Sequence, residues 1–156
     1  MKEEEFFIDI ICQVLVEYKS KDLVYKVLNE FIPGYETINL DYTGKPDEED
    51  YEFKSEDEMI SCYIDTPNVQ QRFYWNKYEN NPDEIMVGVN IMADDQMIFS
   101  LTLNGTPETE ARYYLKLKKF LDSNIGVISY FNPVEYKDGK DFKKRYKDEK
   151  YDFEDS

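Results

Sequence analysis

The chain lacks the residues that most enzymes use for proton transfer and metal binding. It contains no histidine, which removes the commonest general base and the usual zinc ligand. Its two cysteines, Cys12 and Cys62, do not have Cys-x-x-Cys spacing and are too few for a structural zinc site. The sequence contains neither Gly-x-Gly-x-x-Gly, the dinucleotide-binding pattern, nor Gly-x-x-x-x-Gly-Lys-Ser/Thr, the P-loop pattern. We therefore expect no enzymatic activity, no cofactor and no metal.

Carboxylates are the most abundant ionisable group, with 34 Asp and Glu residues, so any single pair of them carries little information. Asp94 and Asp95 could form a metal-binding pair, but we favour the solvated tip of a hairpin. Residues 41–50 superficially suggest a calcium loop, yet they lack the alternating oxygen ligands, central glycine and distal glutamate of an EF-hand. A hydrolase that works through a carboxylate pair therefore has no specific support and ranks third among the functions considered.

The negative charge is concentrated in one part of the chain. The net charge is −15, whereas the last 20 residues hold seven Lys or Arg against seven Asp or Glu. Residues 41–58 carry nine acids against only Lys45 and Lys54. A surface of this kind repels nucleic acid and anionic membranes, and it attracts basic proteins. We expect a basic protein partner, with no binding to nucleic acid or membranes.

The acidic stretch contains the predicted partner-binding residues, in which the acids guide the encounter and pair with Lys or Arg. They are Asp47, Glu48, Glu49, Asp50, Tyr51 and Glu52. Tyr51 would supply a buried anchor of the kind common at interfaces. An exposed charged loop without a partner is the alternative interpretation.

Tyr74 and Tyr78 are weaker candidates for the same role. In a strand, Phe73 and Trp75 share one face while Tyr74 and Tyr78 take the other. In one interpretation, one face is core and the tyrosines are ordinary residues on the sheet surface; in the other, the strand presents an aromatic surface for a protein or a sugar. The sequence favours the first interpretation, at least for Phe73 and Trp75.

Apolar periodicity predicts three helices. Residues 3–18 and 21–31 each carry an apolar stripe, and the stripes point in different directions, which predicts a break near residues 19–21. The third helix is predicted from Pro107 to about Ser123, with Thr106 as its N-cap and Asn124 in the left-handed closing position.

The remaining apolar segments predict strands. They cover residues 35–42, 59–64, 72–78, 85–92, 97–103 and 126–131, with a charged loop at 43–57. For the hairpin at residues 85–103, a three-residue loop at 94–96 pairs Ile91 with Phe99 and gives one continuous apolar face.

These elements predict an α+β fold with a mostly antiparallel sheet of about five to six strands. Two N-terminal helices and one later helix would pack on it. We expect a single domain over residues 1–136 and a charged C-terminal tail over 137–156. The tail would be partly disordered and contain a short exposed helix.

The first residues and the cysteine content predict a cytoplasmic protein. Residues 1–5 are acidic where a secretory signal would be basic, and the apolar run at 6–16 is too short to span a bilayer. Two buried thiols fit a reducing compartment, with a disulfide as the alternative.

Three segments resemble a known class of small acidic bacterial proteins. They are NPDEIMVGV at 81–89, QMIFSLT at 96–102 and IGVISY at 125–130. They resemble the immunity proteins of polymorphic or contact-dependent toxin systems, over roughly residues 60–133. The resemblance implies a cytoplasmic protein that binds and neutralises one cognate toxin; it identifies no binding residue.

The leading hypothesis is a non-enzymatic inhibitor that occludes the active surface of a basic toxin. The alternative is a secretion chaperone for an effector protein. A monomer, which we expect, favours the inhibitor, and a dimer favours the chaperone.

Overall fold

The computed structural model describes residues 8–154 and has the α+β architecture predicted from the sequence. One antiparallel sheet contains β1 (Ile8–Val16), β2 (Gln71–Trp75), β3 (Met86–Ile91), β4 (Met97–Gly105) and β5 (Gly126–Tyr130), in the order β2-β3-β4-β1-β5. The helices are α1 (Lys21–Phe31), α2 (Glu56–Asp65), α3 (Pro107–Leu121) and α4 (Gly139–Tyr146). Short 3-10 turns occupy Leu40–Tyr42 and Asp152–Glu154.

The predicted N-terminal helix is wrong, because residues 8–16 form the strand β1. β1 pairs with β4 on one side and β5 on the other, and both of its faces are covered. A strand buried on both faces has a nearly continuous apolar sequence, which periodicity alone does not separate from a buried helix. Residues 3–7 of that prediction lie outside the described residues. In the part of the chain that the structure describes, α1 is therefore the only helix up to residue 31, where two helices were expected.

The predicted strand at 59–64 is also wrong, since these residues belong to α2. Ser55 caps the helix by accepting a hydrogen bond from the Glu58 amide (3.1 Å), and residues 56–58 place three acids in the first turn. Acids at this position interact favourably with the positive end of the helix dipole. The Ser-x-x-Glu pattern at 55–58 is the capping signal that identifies this helix.

The predicted strand at 35–42 does not form. The segment runs along the sheet edge, with Ile38 buried and the Glu36 amide bonded to the Asn76 carbonyl (3.0 Å). It ends in the 3-10 turn, where the Asn39 side chain accepts a hydrogen bond from the Asp41 amide.

The β3–β4 hairpin has the predicted apolar face in a different register. Ile91 pairs with Met97 and Val89 with Phe99, a shift of two residues from the predicted pairing. The loop is three residues long, as predicted, but it spans 93–95 rather than 94–96, closed by the Met92 amide and the Gln96 carbonyl (3.0 Å). Asp95 has φ 63°, and aspartate tolerates this left-handed conformation better than most residues.

The two predicted helices at 21–31 and from residue 107 are confirmed as α1 and α3. Thr106 occupies the N-cap position of α3, although its side chain makes no capping hydrogen bond. The predicted closing residue is wrong, because Asp122 and not Asn124 takes the left-handed conformation (φ 51°).

The main core lies on the inner face of the sheet, beneath α1, α2 and α3. It joins Val27, Met59 and Leu117 from these helices to Phe73 and Phe99 from the sheet. Trp75 is 1% exposed in this core and donates its indole N–H to the Glu56 carboxylate (3.0 Å).

The C-terminal segment covers part of the outer face. Phe142 of α4 is 0% exposed and packs with Leu15, Ile98 and Val127, so the predicted helix of the tail exists but is not simply exposed. Farther on, the Tyr151 hydroxyl accepts a hydrogen bond from the amide of Ile128 (2.7 Å) in the edge strand β5. This contact blocks one of the free backbone groups through which an edge strand could pair with another chain.

Candidate functional site

The acidic loop, residues 43–55, is an ordered turn rather than a loose segment. The backbone of Lys45 pairs with that of Glu48 through two hydrogen bonds of 3.1 Å, and the Tyr51 amide bonds to the Glu48 carbonyl. Gly44 packs against the loop backbone so closely that a Cβ atom there would lie 2.1 Å from the Glu49 carbonyl oxygen. The loop therefore requires a glycine at position 44 to close.

Tyr51 holds this loop against α2. Its ring lies 3.9 Å below the Lys45 ammonium and packs edge-on against Phe53, with centroids 5.2 Å apart. Its hydroxyl donates to the Glu58 carboxylate (3.2 Å). Partial burial and the Glu58 carboxylate raise the pKa of the Tyr51 hydroxyl. Tyr51 is thus engaged on three sides by its own chain.

The acids of the loop are exposed and uncompensated. Asp47, Glu48, Glu49, Asp50 and Glu52 are all exposed to solvent. Eight ion pairs occur among residues 8–154, and none of them involves these five acids. Four consecutive negative charges are therefore presented on a fixed backbone.

The structure separates the two remaining predicted residues from the loop. Tyr74 lies on the outer face of β2 and is 40% exposed, whereas Tyr78 follows β2 and is 74% exposed. Tyr42, just before the loop, stacks on Phe73 of β2 (centroids 5.6 Å apart). Burial, and to a smaller extent the neighbouring Tyr74, raises the pKa of Tyr42. The acidic loop and Tyr74 thus flank the same edge strand, and Tyr78 lies apart beside Gly34 and Lys77.

A groove of about 260 Å³ lies on the outer face of the sheet, and the sequence analysis did not predict it. Asn90 and Ser100 lie among the strand residues that line it. One side is formed by Arg72 and Tyr74, and the other by the segment that follows β5. We call this the outer-face groove. Its residues come from distant parts of the chain, and the one local signal is Gly88, where a Cβ atom would lie 3.0 Å from the Tyr74 ring.

The acids at the hairpin tip have structural roles. Asp94 accepts hydrogen bonds from the amides of Gly139 and Lys140 at the start of α4. Asp95 pairs with Lys19 (3.2 Å) and accepts from the Asn68 amide (2.9 Å). The Asn68 amide first, and then Lys19, lower the pKa of Asp95. The hairpin tip is therefore a packing junction, not the solvated turn that we expected.

Cys12 and Glu110 are buried ionisable groups that lie near each other on the inner side of the sheet. Burial first, and Glu110 second, raise the pKa of the Cys12 thiol to about 12, so it is not ionised near neutral pH. Glu110 itself accepts a hydrogen bond from the Tyr130 hydroxyl (2.6 Å). Across residues 8–154, no cluster of His, Cys, Asp or Glu could hold a metal ion.

Comparison with known proteins identifies no relative. No protein-family model, curated protein or solved structure matches the chain. Within the described residues, no helix is both long and apolar enough to cross a membrane.

Proposed function

We propose that this protein is a non-enzymatic inhibitor of the immunity-protein kind, which binds a basic toxin through the acidic loop and blocks its active surface. The observation that carries the proposal is the charge on residues 47–50, which is exposed, unpaired within the described residues and held on an ordered backbone. Like charges this close repel one another, so a partner that supplies Lys or Arg relieves the repulsion.

The acids act mainly on the rate of association. Each exposed ion pair contributes only about 0.2–1 kcal/mol, so four such pairs give roughly 1–4 kcal/mol. A nanomolar complex requires about 12 kcal/mol. Electrostatic steering, in contrast, accelerates association by roughly 10–1,000-fold. The loop therefore guides the partner, and apolar contacts elsewhere must supply most of the affinity.

Tyr51 supports this function indirectly. Because its ring and hydroxyl are engaged by Lys45, Phe53 and Glu58, we assign it the role of fixing the loop. A loop that is already ordered loses less conformational entropy when it binds.

The first test is co-expression with the toxin domain encoded by the neighbouring reading frame. We expect restored growth and a purified complex of the two proteins with one copy of each. If no adjacent frame encodes such a domain, or if the toxin kills equally well in the presence of this protein, the proposal is wrong. A stable dimer that keeps its partner unfolded would instead identify the secretion chaperone.

The second test measures association rates in a salt series. The loop variant carries Asp47→Asn, Glu48→Gln, Glu49→Gln and Asp50→Asn. The matched control removes the same charge from exposed acids outside the loop with Asp65→Asn, Glu79→Gln, Asp148→Asn and Glu149→Gln. We expect the loop variant to associate at least about tenfold more slowly at low salt, with a shallower salt dependence. Equal rates for the two variants would exclude a steering role for the loop.

A further inference from the structure

The outer-face groove has the size of a site for one large side chain. Its volume of about 260 Å³ exceeds the roughly 150 Å³ that holds a benzene molecule. It is smaller than most pockets for cofactors and drug-sized ligands, which begin at about 300 Å³. The groove therefore fits an aromatic or large aliphatic side chain together with the adjoining main chain.

The charge of the groove is opposite to that of the acidic loop. Among residues 8–154, no carboxylate lines it, although the chain has 34 acids. Arg72 is exposed at its side and takes part in no ion pair among residues 8–154. An arginine guanidinium binds a carboxylate through two parallel hydrogen bonds. The groove thus favours a ligand that carries a carboxylate.

A second polar group lies unpaired among the groove residues. Asn90 is 6% exposed, and its Nδ2 donates to the Tyr136 hydroxyl (2.8 Å). Its Oδ1 is buried and has no hydrogen-bond partner in the described part of the chain. Such an atom is costly to leave unpaired, and the soft χ2 torsion of asparagine lets the amide turn toward a donor. A ligand N–H group would satisfy it.

The walls of the groove are aromatic, and one of them is strained. Phe131 has φ 68°, an unusual conformation for a bulky residue, within a tight turn closed by the Asn132 amide and the Tyr130 carbonyl (2.8 Å). This turn leaves the ring 65% exposed beside the groove. Strain of this kind is concentrated at binding sites in other proteins.

We propose that the outer-face groove is a second recognition site, which binds a large apolar side chain of a polypeptide together with a neighbouring carboxylate. Tyr74 and Phe131 contact the side chain, and Arg72 binds the carboxylate. The inference rests on the proposed function in one respect, namely that the polypeptide belongs to the protein partner. The outer-face groove would supply the apolar contact that the acidic loop lacks.

The probe for this site is N-acetyl-L-phenylalanine, which combines an aromatic ring, a carboxylate and an amide N–H. It is titrated into the isotope-labelled full-length protein and followed by NMR. We expect a dissociation constant on the order of 1 mM, with shifts at Asn90, Ser100 and Tyr136. N-acetyl-L-phenylalaninamide lacks the carboxylate and should bind about two- to fivefold more weakly, because Arg72 is exposed. No shifts in the groove, or equal affinity for the two probes, would overturn the proposal.

Two variants with matched controls locate the interaction. Arg72→Gln should remove the preference for the carboxylate, whereas Arg112→Gln, at an exposed arginine outside the groove, should retain it. Tyr74→Ala should weaken both probes, and Tyr18→Ala, at an exposed tyrosine elsewhere, should weaken neither. An unchanged preference in Arg72→Gln contradicts the assignment even if Tyr74→Ala fails to fold.

The outcome separates this inference from the proposed function. The probes are measured without the toxin, so their failure removes the groove site and leaves the result of co-expression unaffected. Binding of the probes by a protein that gives no protection would keep the groove as a peptide site and remove the proposed function.

Discussion

Replacing Phe142 by alanine tests whether the C-terminal segment is part of the folded body. Phe142 is 0% exposed and is, apart from Gly139, the only buried residue of α4. Its ring lies against the rings of Tyr136 and Tyr146, with centroids 5.3 and 4.9 Å away. The apolar contact of α4 with the sheet therefore depends on this one side chain, beside the hydrogen bonds that Asp94 accepts from the start of the helix.

The expected loss of stability is large. Truncation of a buried Phe to Ala costs about 3–5 kcal/mol, because apolar transfer energy is lost and a cavity remains. Each aromatic pair contributes about 0.5–1.5 kcal/mol beyond the buried area, which places this site near the middle of that range. We expect about 4 kcal/mol, a large part of the roughly 5–15 kcal/mol available to a typical domain.

The loss can appear in two ways, and both support the reasoning. If α4 stays attached, the midpoint of urea unfolding falls for the whole protein. If it detaches, hydrogen exchange accelerates over residues 133–150, because an eight-residue helix is unstable alone. Residues 133–136 form one wall of the groove, and the Val134 amide bonds to Gln13 of β1 (3.0 Å). If detachment of α4 also breaks this contact, the wall is lost, and N-acetyl-L-phenylalanine should no longer bind.

The control is Phe131→Ala, at a ring that is 65% exposed, which should change the free energy of unfolding by less than about 1 kcal/mol. Urea unfolding and hydrogen exchange are measured on both variants. A loss below about 1 kcal/mol in Phe142→Ala, with exchange unchanged, would refute the packing of α4 described above.

Three further predictions concern the edge strand, the acidic loop and the buried thiol. Tyr151→Phe should cost about 1–2 kcal/mol in urea unfolding and promote self-association in gel filtration, because the Ile128 amide loses its partner; unchanged stability would contradict this. Gly44→Ala should loosen the loop, since its Cβ atom would collide with the Glu49 carbonyl, and should weaken affinity for the proposed toxin partner while the charge and the core stay intact; an unchanged dissociation constant would show that loop order is irrelevant. The pKa of Cys12 is raised to about 12 from 9.0, so its contribution to stability is complete below pH 9 and is lost as pH rises toward 12, because the unfolded thiol ionises first. In urea unfolding between pH 8 and 11, the free energy of unfolding should therefore decrease with pH. Above pH 9 the decrease should be less steep in Cys12→Ala, by about 1.4 kcal/mol per pH unit. Equal slopes in the two proteins would contradict this prediction.

The sequence predicts faces more reliably than element types or pairings. The apolar face of the β3–β4 hairpin is confirmed, because alternation determines which side chains share a face. The register differs by two residues because it depends on which residue adopts the left-handed conformation, and Asp95 does so more readily than Gln96. Alternation alone does not distinguish registers that differ by two.

The predictions for β1 and α2 are wrong for different reasons. The prediction of a helix at β1 fails because the C-terminal part of the chain covers its second face, through Phe142 of α4 at Leu15 and through Val134 at Gln13, and these distant contacts remove the expected alternation. α2 was predicted as a strand because a short apolar segment outweighed the capping pattern of Ser55 and Glu58, which was visible in the sequence. The first error required tertiary information, and the second did not.

One part of the candidate site can be predicted from the sequence, and the other part requires the fold. The acidic loop is contiguous in sequence, and its charge was predictable by counting. The outer-face groove combines Arg72, Asn90, Phe131 and Tyr136, which only the sheet order and the return of the chain over the outer face bring together. Its charge preference follows from the absence of acids among its lining residues, which depends on the fold and not on the overall composition.

Under the proposed function, the two surfaces together would let an acidic protein select one partner among many basic ones. The loop attracts any polycation, because long-range attraction depends on charge and not on shape. In the proposed groove site, on the other side of β2, a ligand without a carboxylate would leave Arg72 unpaired, and a ligand without an N–H group would leave the buried Oδ1 of Asn90 unpaired. Specificity is a difference between affinities, and unpaired polar groups penalise the wrong partner. A toxin that satisfies both sites must therefore present a basic surface beside an apolar side chain and an acid, a combination that generic polycations do not have.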